Sequence, residues 1–206
     1  MLRRKGFTLI VSGPSGAGKS SLCRAIVAGD AGVGMCVTTT TRPPRPDEVE
    51  GRDRFFLSEE AFRERVRQGA FAEWASVHGF LYGTTREALR AAQEHHDVVI
   101  LDVDVQGAKH WRQQLQEACV TVFVVPPSLA GLKQRLIGRG TDAGEDLERR
   151  IENAREEMAH AGSYGYLIIN DRIEDAVSLL RAIAAAERCR SIRYEGDIVK
   201  EMMSGE

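Results

Sequence analysis

Four short runs of the chain are apolar without alternation: Phe7–Ser12 (FTLIVS), Val98–Val103 (VVILDV), Val120–Val125 (VTVFVV) and Tyr166–Ile169 (YLII). A strand with one wet face alternates apolar and polar residues, whereas an unbroken apolar run of this length marks a strand covered on both faces of a parallel sheet. Between these runs apolar positions recur at helical spacing over Ser20–Ala28, Gln106–Gln116, Leu129–Ile137, Glu145–His160 and Ile173–Cys189. Ser128, after Pro126 and Pro127, opens the third of these helices. Strand and helix alternate, so the expected fold class is α/β, a parallel sheet flanked by helices.

Two segments break the rhythm. Thr38–Phe56 is rich in Thr, Arg, Pro and acids, too polar for core and too long for a simple connection, while Phe71–Thr84 has strand-like pieces around a Gly-bounded turn. Together they predict an inserted, β-containing subdomain with helices at Glu59–Arg67, stopped by Gly69, and Arg86–Glu94. Thr84 and Glu87 stand at capping-box spacing at the start of the second. The other break, Gly138–Asp146 (GRGTDAGED), reads as a hinge between two helices. After Arg190 periodicity is lost, which predicts a loosely held tail.

Composition narrows the class. With 206 residues, 43% hydrophobic and 28% charged, the chain is neither disordered nor fibrous, and its length suits one domain carrying inserts. Cys23, Cys36, Cys119 and Cys189 are scattered and lack partners at metal-ligand spacing, which points to a reducing compartment. No stretch reaches the roughly 18 apolar residues of a membrane span, and Phe7–Ser12 is too short for an export signal, so the expectation is a cytoplasmic protein without a membrane partner. A net charge of −2 with no long basic run argues against a nucleic-acid partner. Within that balance, 23 of the 28 basic residues are arginine. Genome composition produces such a bias, and so does phosphate recognition by the planar guanidinium fork, so position must decide.

Gly13-Pro14-Ser15-Gly16-Ala17-Gly18-Lys19-Ser20 fits G-x-x-x-x-G-K-S, after a strand and before a helix as phosphate binding requires. Glycines let the backbone wrap phosphates, the helix N-terminus favours anions, Lys19 reaches the β and γ phosphates and the Ser20 hydroxyl ligates Mg²⁺. The following Ser21 belongs to the same nucleotide-binding segment. This predicts a nucleoside triphosphate with Mg²⁺. Asp102 and Asp104 end the most apolar run, at the carboxyl edge of a central strand where ligands bind in open α/β sheets. Alternation puts them on one side, one towards the metal shell and the other towards the acceptor, although an Asp here also serves as a helix cap.

In Thr38-Thr-Thr-Thr-Arg42-Pro-Pro-Arg45-Pro-Asp-Glu48, two prolines stiffen a loop whose guanidinium groups can converge on one small anion. A self-paired polar loop is the plainer alternative. Together with Gly13–Ser20 this segment resembles the guanylate kinases, enzymes that pass a phosphoryl group from ATP to GMP. The resemblance continues through Phe71-Ala-Glu73-Trp74, Tyr82-Gly83-Thr84, Leu101-Asp-Val-Asp104-Val-Gln-Gly107, Pro126-Pro-Ser128, Arg135-Leu-Ile-Gly-Arg139 and Ile169-Asn170-Asp171, in family order over about residues 7–188.

The resemblance implies a nucleoside monophosphate kinase fold with a core over 1–36, 97–128 and 160–190, a GMP-binding subdomain over 37–96, a helical lid over 129–159 and a tail over 191–206. It implies that Arg42, Arg45 and Tyr82 hold the GMP phosphate, braced by Glu48, and that Thr38, Glu73, Thr84 and Asp104 surround the guanine. Guanine shows N1–H and N2–H₂ donors that one carboxylate can accept as a pair, and adenine does not. It further implies that Lys19, Arg135, Arg139, Arg150 and Asp102 serve phosphoryl transfer to GMP or dGMP, with Ser20 and Asp102 at the metal. Four positions depart from the family: Arg54 stands where it usually has Tyr touching the GMP phosphate, Asp47 where it has Gly, and Phe80-Leu81 where it has Asn-Tyr. The alternatives are a non-catalytic module of the same fold and a kinase of a different small nucleotide.

Overall fold

A computed structural model describes residues 3–46, 48–77, 79–137, 145–196, 199 and 202–203. From the N-terminus the elements are β1 (Phe7–Ser12), α1 (Lys19–Gly29), β2 (Val33–Met35), β3 (Thr38–Thr40), β4 (Arg54–Phe56), α2 (Glu59–Arg67), β5 (Phe71–Val77) and β6 (Phe80–Thr85). There follow α3 (Arg86–His95), β7 (Val98–Asp102), α4 (Val105–Leu115), β8 (Cys119–Val125), α5 (Leu129–Ile137), α6 (Glu145–Met158), β9 (Tyr166–Ile169) and α7 (Ile173–Arg188).

The four apolar runs, joined at one edge by β2, form a parallel sheet ordered β2-β7-β1-β8-β9. The central strand β1 pairs with β7 from Phe7↔Val98 to Val11↔Asp102 and with β8 from Thr8↔Cys119 to Ser12↔Phe123. Both faces are covered, as the lack of alternation predicts. Phe7, Leu9 and Val11 pack with Leu22, Cys23 and Ile26 of α1 and Ala176, Leu180 and Ala184 of α7. Ile10 points the other way, to Val99, Leu101, Ala108 and Trp111, joined by Ala88 and Leu89 of α3. Each such fully buried large side chain contributes about 1.5–3 kcal/mol through its removal from water.

A second sheet, β4-β3-β6-β5, holds the insert. The β5/β6 hairpin is antiparallel, with Val77 opposite Phe80, and β4 runs parallel to β3. α2 covers it through Phe62, whose ring stacks on Phe71 at 4.3 Å between centroids beside Leu81. A register shift between Phe71 and Glu73 in β5 breaks the period of two, so that beyond it Glu73, Ala75 and Val77 point to the face opposite Phe71, towards the end of β1 and β7. Leu132 and Leu136 of α5 meet Ala154, Leu147 and Ile151 of α6 in a separate cluster above the loop after β1.

Element bounds agree with the sequence pattern to within two residues, and Ser128 accepts from the Gly131 N–H as the expected cap (3.0 Å). One strand lies outside the sequence pattern, and two expectations are corrected. β2 is too short to show a period and was not foreseen. Thr84 does not cap α3: it is still strand, fully buried, and the cap is Thr85, accepting from the Ala88 N–H at 3.1 Å. The segment just after Arg190 is not loose: Arg193 is only 3% exposed, lies 4.7 Å over the Phe7 ring, and donates to the Glu117 carbonyl. Backbone bonds Lys5→Arg193 and Glu195→Arg3 clamp it to the N-terminus. The proposed hinge lies largely outside the described residues, as do Asp47 and Arg139.

Candidate active site

The loop between β1 and α1 is shaped by close backbone approach. Gly13 has φ +137°, and a Cβ there would sit 2.1 Å from the Val124 carbonyl; Gly18, at φ +91°, would meet Asn170 Nδ2 at 2.3 Å. Larger residues cannot occupy either position without displacing the loop. Gly18 is the N-cap of α1 and offers its first turn no side-chain acceptor, which leaves helix-end N–H groups for an anion. Lys19 Nζ donates to the Gly13 and Pro14 carbonyls at 2.5 and 3.1 Å. Pro14 and Ala17 are buried loop backbone, whereas Ser21 is exposed on α1.

Around this loop stand its supports. Asn170, 4% exposed at the end of β9, donates to the Ala17 carbonyl at 2.7 Å. Arg135 of α5 donates to the Asn170 carbonyl at 2.8 Å and lies 3.3 Å from that of Asp171. Arg150 of α6 donates to Ser15 Oγ at 2.9 Å. Ser20 Oγ donates to Asp102 Oδ2 at 2.6 Å. This pair of hard oxygens, brought together from α1 and the end of β7, fits Mg²⁺, which takes one or two protein oxygens and completes its shell with phosphate and water.

The other end of the cavity is built by the second sheet and the start of α4. Thr84 Oγ1 donates to Glu73 Oε1 at 2.8 Å, and Asp104 caps α4 by accepting from the Gly107 N–H at 2.9 Å. Burial pushes the Glu73 carboxyl above its ordinary range, against the hydrogen bond from Thr84, and the Asp104 charge adds to the rise. Arg42 donates through both terminal nitrogens to the Glu48 carboxylate, at 2.7 Å on Oε2, and Glu48 also accepts the Arg45 N–H at 2.9 Å. Burial opposes ionisation of Glu48, yet these donors hold it below the usual carboxylate range. Asp53 joins this loop to α1 through Arg24 at 3.0 Å; the Val49 N–H and two arginines outweigh burial and bring it to about 2.

Gly13, Ser15, Gly16, Gly18, Lys19, Ser20, Thr38, Arg45, Glu73, Tyr82, Asp102 and Asp104 line one continuous cavity. Arg42, Glu48 and Thr84 support its wall from behind, and Arg135 and Arg150 flank the loop. So ten residues of the loop after β1 and of the inserted subdomain, spread over positions 13 to 82, share one space with both aspartates.

A family model described as guanylate kinase matches residues 5–187. A guanylate kinase of Symbiobacterium thermophilum is 41% identical over 199 residues, covering 97% of this chain and 94% of that protein. One from Novosphingobium aromaticivorans is 40% identical over 206 residues, covering 99% and 93%. The crystal structure of guanylate kinase from Anaplasma phagocytophilum superposes with a TM-score of 0.81 at 27% identity, covering 100% of this chain and 97% of that one. The chain belongs to the guanylate kinase family. It is therefore a nucleoside monophosphate kinase, a phosphotransferase.

Two residues in this guanylate kinase family site carry no role from the sequence. Arg54, noted only as a departure, turns into the cavity: it donates to Thr38 Oγ1, lies 5.8 Å over the Tyr82 ring and 3.8 Å from Asp102 Oδ2. Glu157 of α6 lines the phosphate-loop end, and its buried Oε2 has no hydrogen-bond partner among the described residues. Burial raises its carboxyl, against the attraction of Lys19, and Asp104 raises it further. A signal existed: Glu157 continues the apolar stripe of Leu147, Ile151 and Ala154, where a charge is out of place.

Proposed function

We propose that the protein transfers the γ-phosphoryl group of ATP, as its magnesium complex, to GMP or dGMP, giving ADP and GDP or dGDP. The observation that carries this reading is the cavity itself, with a phosphate loop at one end and a buried carboxylate on a β-strand at the other. Glu73, backed by Thr84, is the acceptor for the guanine N1–H and N2–H₂ pair, while Thr38 and Asp104 border the base. Adenine offers no such donor pair and would strand a buried carboxylate, at a cost of about 1–3 kcal/mol or more. Arg42, Arg45 and Tyr82 take the acceptor phosphate, with Glu48 fixing the two guanidinium groups.

Residues 37–96 act as the acceptor subdomain, 129–159 as the lid, and 1–36, 97–128 and 160–190 as the core. The acceptor phosphate is already anionic, so no general base is needed: its oxygen bonds to the γ-phosphorus as the bond to the ADP oxygen breaks. Lys19 exchanges its two loop carbonyls for the β and γ phosphates. Arg150, one bond from the loop through Ser15, and Arg135, at the loop's rim, add positive charge as the lid closes, and Arg139 is assigned with them. Ser20 and Asp102 would hold Mg²⁺, which when bound supplies charge neutralisation on the phosphates. Catalysis is thus positioning and electrostatic stabilisation with water excluded.

A coupled ADP-release assay with ATP and each of GMP, dGMP, AMP, UMP and CMP tests the proposal. ADP release that depends on GMP and dGMP, with the others at least about a hundredfold poorer in kcat/KM, is expected. Equal rates with every monophosphate would reassign the acceptor, and no release with any would favour a non-catalytic module. Intact contacts at Lys19, Ser20 and Asp102 speak against the latter.

A further inference from the structure

Glu157 lies in the last turn of α6, two turns beyond Arg150. Leu147, Ile151 and Ala154 turn that side of the helix inward, and Glu157 is carried to the wall of the cavity beside Gly13, Ser15, Gly16 and Lys19. Its Oε2 is buried and has no hydrogen-bond partner among the described residues. Burial opposes its ionised form most strongly and Asp104 adds to that, against the Lys19 charge and the Ser15 N–H. The groups around it are committed elsewhere. Lys19 donates to the Gly13 and Pro14 carbonyls, Asp102 accepts from Ser20, and Asp104 caps α4. Arg150 is turned to Ser15 Oγ, and Arg135 to the Asn170 carbonyl. Tyr164 also feels the Glu157 charge, and its hydroxyl is raised above the ordinary range, first by burial.

The phosphate-loop end is where a triphosphate must lie, and there the chemistry of this carboxyl is awkward. An ionised carboxylate offers acceptors only. Phosphate oxygens are acceptors too, and they carry charge of the same sign. The two would meet acceptor to acceptor and anion to anion. One proton on Glu157 removes the clash and converts the unpartnered oxygen into a donor. An arriving anion favours that proton, as any like charge near a carboxyl does.

We propose that Glu157 binds the donor triphosphate as the neutral acid: it takes up one proton from solvent when the nucleotide enters and presents the O–H to a phosphate oxygen. The inference deepens the donor reading above and rests on it. It gives the lid helix a second, uncharged contact with the phosphates beside the charge that Arg150 brings.

Titration calorimetry on the full chain with a non-hydrolysable ATP analogue, repeated in buffers of different ionisation enthalpy between about pH 6 and about pH 9, counts the protons taken up. Wild type is expected to take up close to one proton more than Glu157→Gln at the maximum, the triphosphate's own titration being common to both. The amide already supplies an N–H₂ donor without a charge. The affinity of wild type should therefore fall by up to tenfold per pH unit across the window while that of Glu157→Gln stays flat, so that the variant binds more tightly on the alkaline side. Glu157→Ala, which offers no donor, should bind roughly tenfold more weakly than Glu157→Gln. Guanosine binding, read in the same proteins, certifies that each is folded. Equal proton uptake in wild type and Glu157→Gln would overturn the inference. So would a Glu157→Gln variant as weak as Glu157→Ala, because the ionised carboxylate would then be the working form, a brace for the Ser15 N–H. If wild type gave no binding heat with the ATP analogue at any pH, the donor reading would fail and this inference with it, whereas intact binding without extra uptake sinks this inference alone.

Discussion

The two ends of the cavity are built on different principles. The phosphate-loop end is backbone work: glycines at positive φ, helix-end N–H groups, and a lysine resting on carbonyls six and five residues before it. The acceptor end is side-chain work, with polar and charged groups from four strands, the loop after β3 and a helix start brought together in space, and several of them buried against their solvation cost. A loop of this kind recognises any triphosphate by its phosphates. Discrimination between bases therefore falls to the acceptor end, where an unmatched buried carboxylate is costly.

The sharpest way to break that division is Lys19→Ala. Loss of the cation seated within the loop should lower kcat on the order of 10³-fold with guanosine affinity untouched, since nothing in the base pocket depends on it. Stopped-flow or steady-state kinetics beside guanosine calorimetry checks both halves. A kcat within a few-fold of wild type, or a parallel loss of guanosine binding, would show that the two ends are not separable. The next largest effect is expected from Glu73→Gln. The amide keeps the size and one acceptor but presents an N–H₂ where guanine also donates, so kcat/KM for GMP should fall about a hundredfold while KM for ATP stays put. Preserved preference for GMP over AMP in this variant would remove Glu73 from its assigned role.

The same contrast decides what could be read from residue order. The loop is local: strand, glycines, Lys19 and Ser20 lie within 14 consecutive residues, and their meaning survives without knowledge of the fold. The apolar runs announced the parallel sheet for a similar reason, because burial on both faces leaves no alternation to misread. The acceptor end depends on contacts between β3, β4, β5, β6 and α4, and there the resemblance to a family carried assignments that spacing alone left open. Arg54 shows where that ends. No pattern says whether a lone arginine at a strand start faces solvent or a cavity; the parallel register with Thr38 settles it. Thr84 and Thr85 make the complementary point. Capping-box spacing fitted Thr84, but one more strand residue commits its hydroxyl to Glu73, and the next threonine takes the cap. Arg193 was hidden because its partners, Phe7 and Glu117, lie far away in sequence.

The smallest effect tests the electrostatics of the acceptor end alone. Burial raises the Glu73 carboxyl, and Asp104 raises it further, against the Thr84 hydrogen bond and the His110 ring. Guanine requires the ionised form, so guanosine affinity should decline as pH falls, beginning above the pH of about 4.3 at which an ordinary glutamate titrates. Guanosine rather than GMP is the probe because the phosphate titrates near pH 6 and would mask the effect. The stability of the empty protein should move the other way. A raised folded pKa contributes stability that is fully present below the unfolded value and is lost as pH rises through the folded one, so Glu73→Gln should flatten a slope that favours the acid side. Asp104→Asn keeps an N-cap on α4 while removing the neighbouring charge, and should shift the onset of guanosine loss to lower pH. Calorimetric titrations with guanosine between about pH 4.5 and about 7 on the three proteins read the affinities, and thermal unfolding of the empty proteins over the same range reads the stability slope. An onset that Asp104→Asn leaves in place would mean that burial alone raises Glu73 and that the two carboxylates, although they share one cavity, do not sense each other.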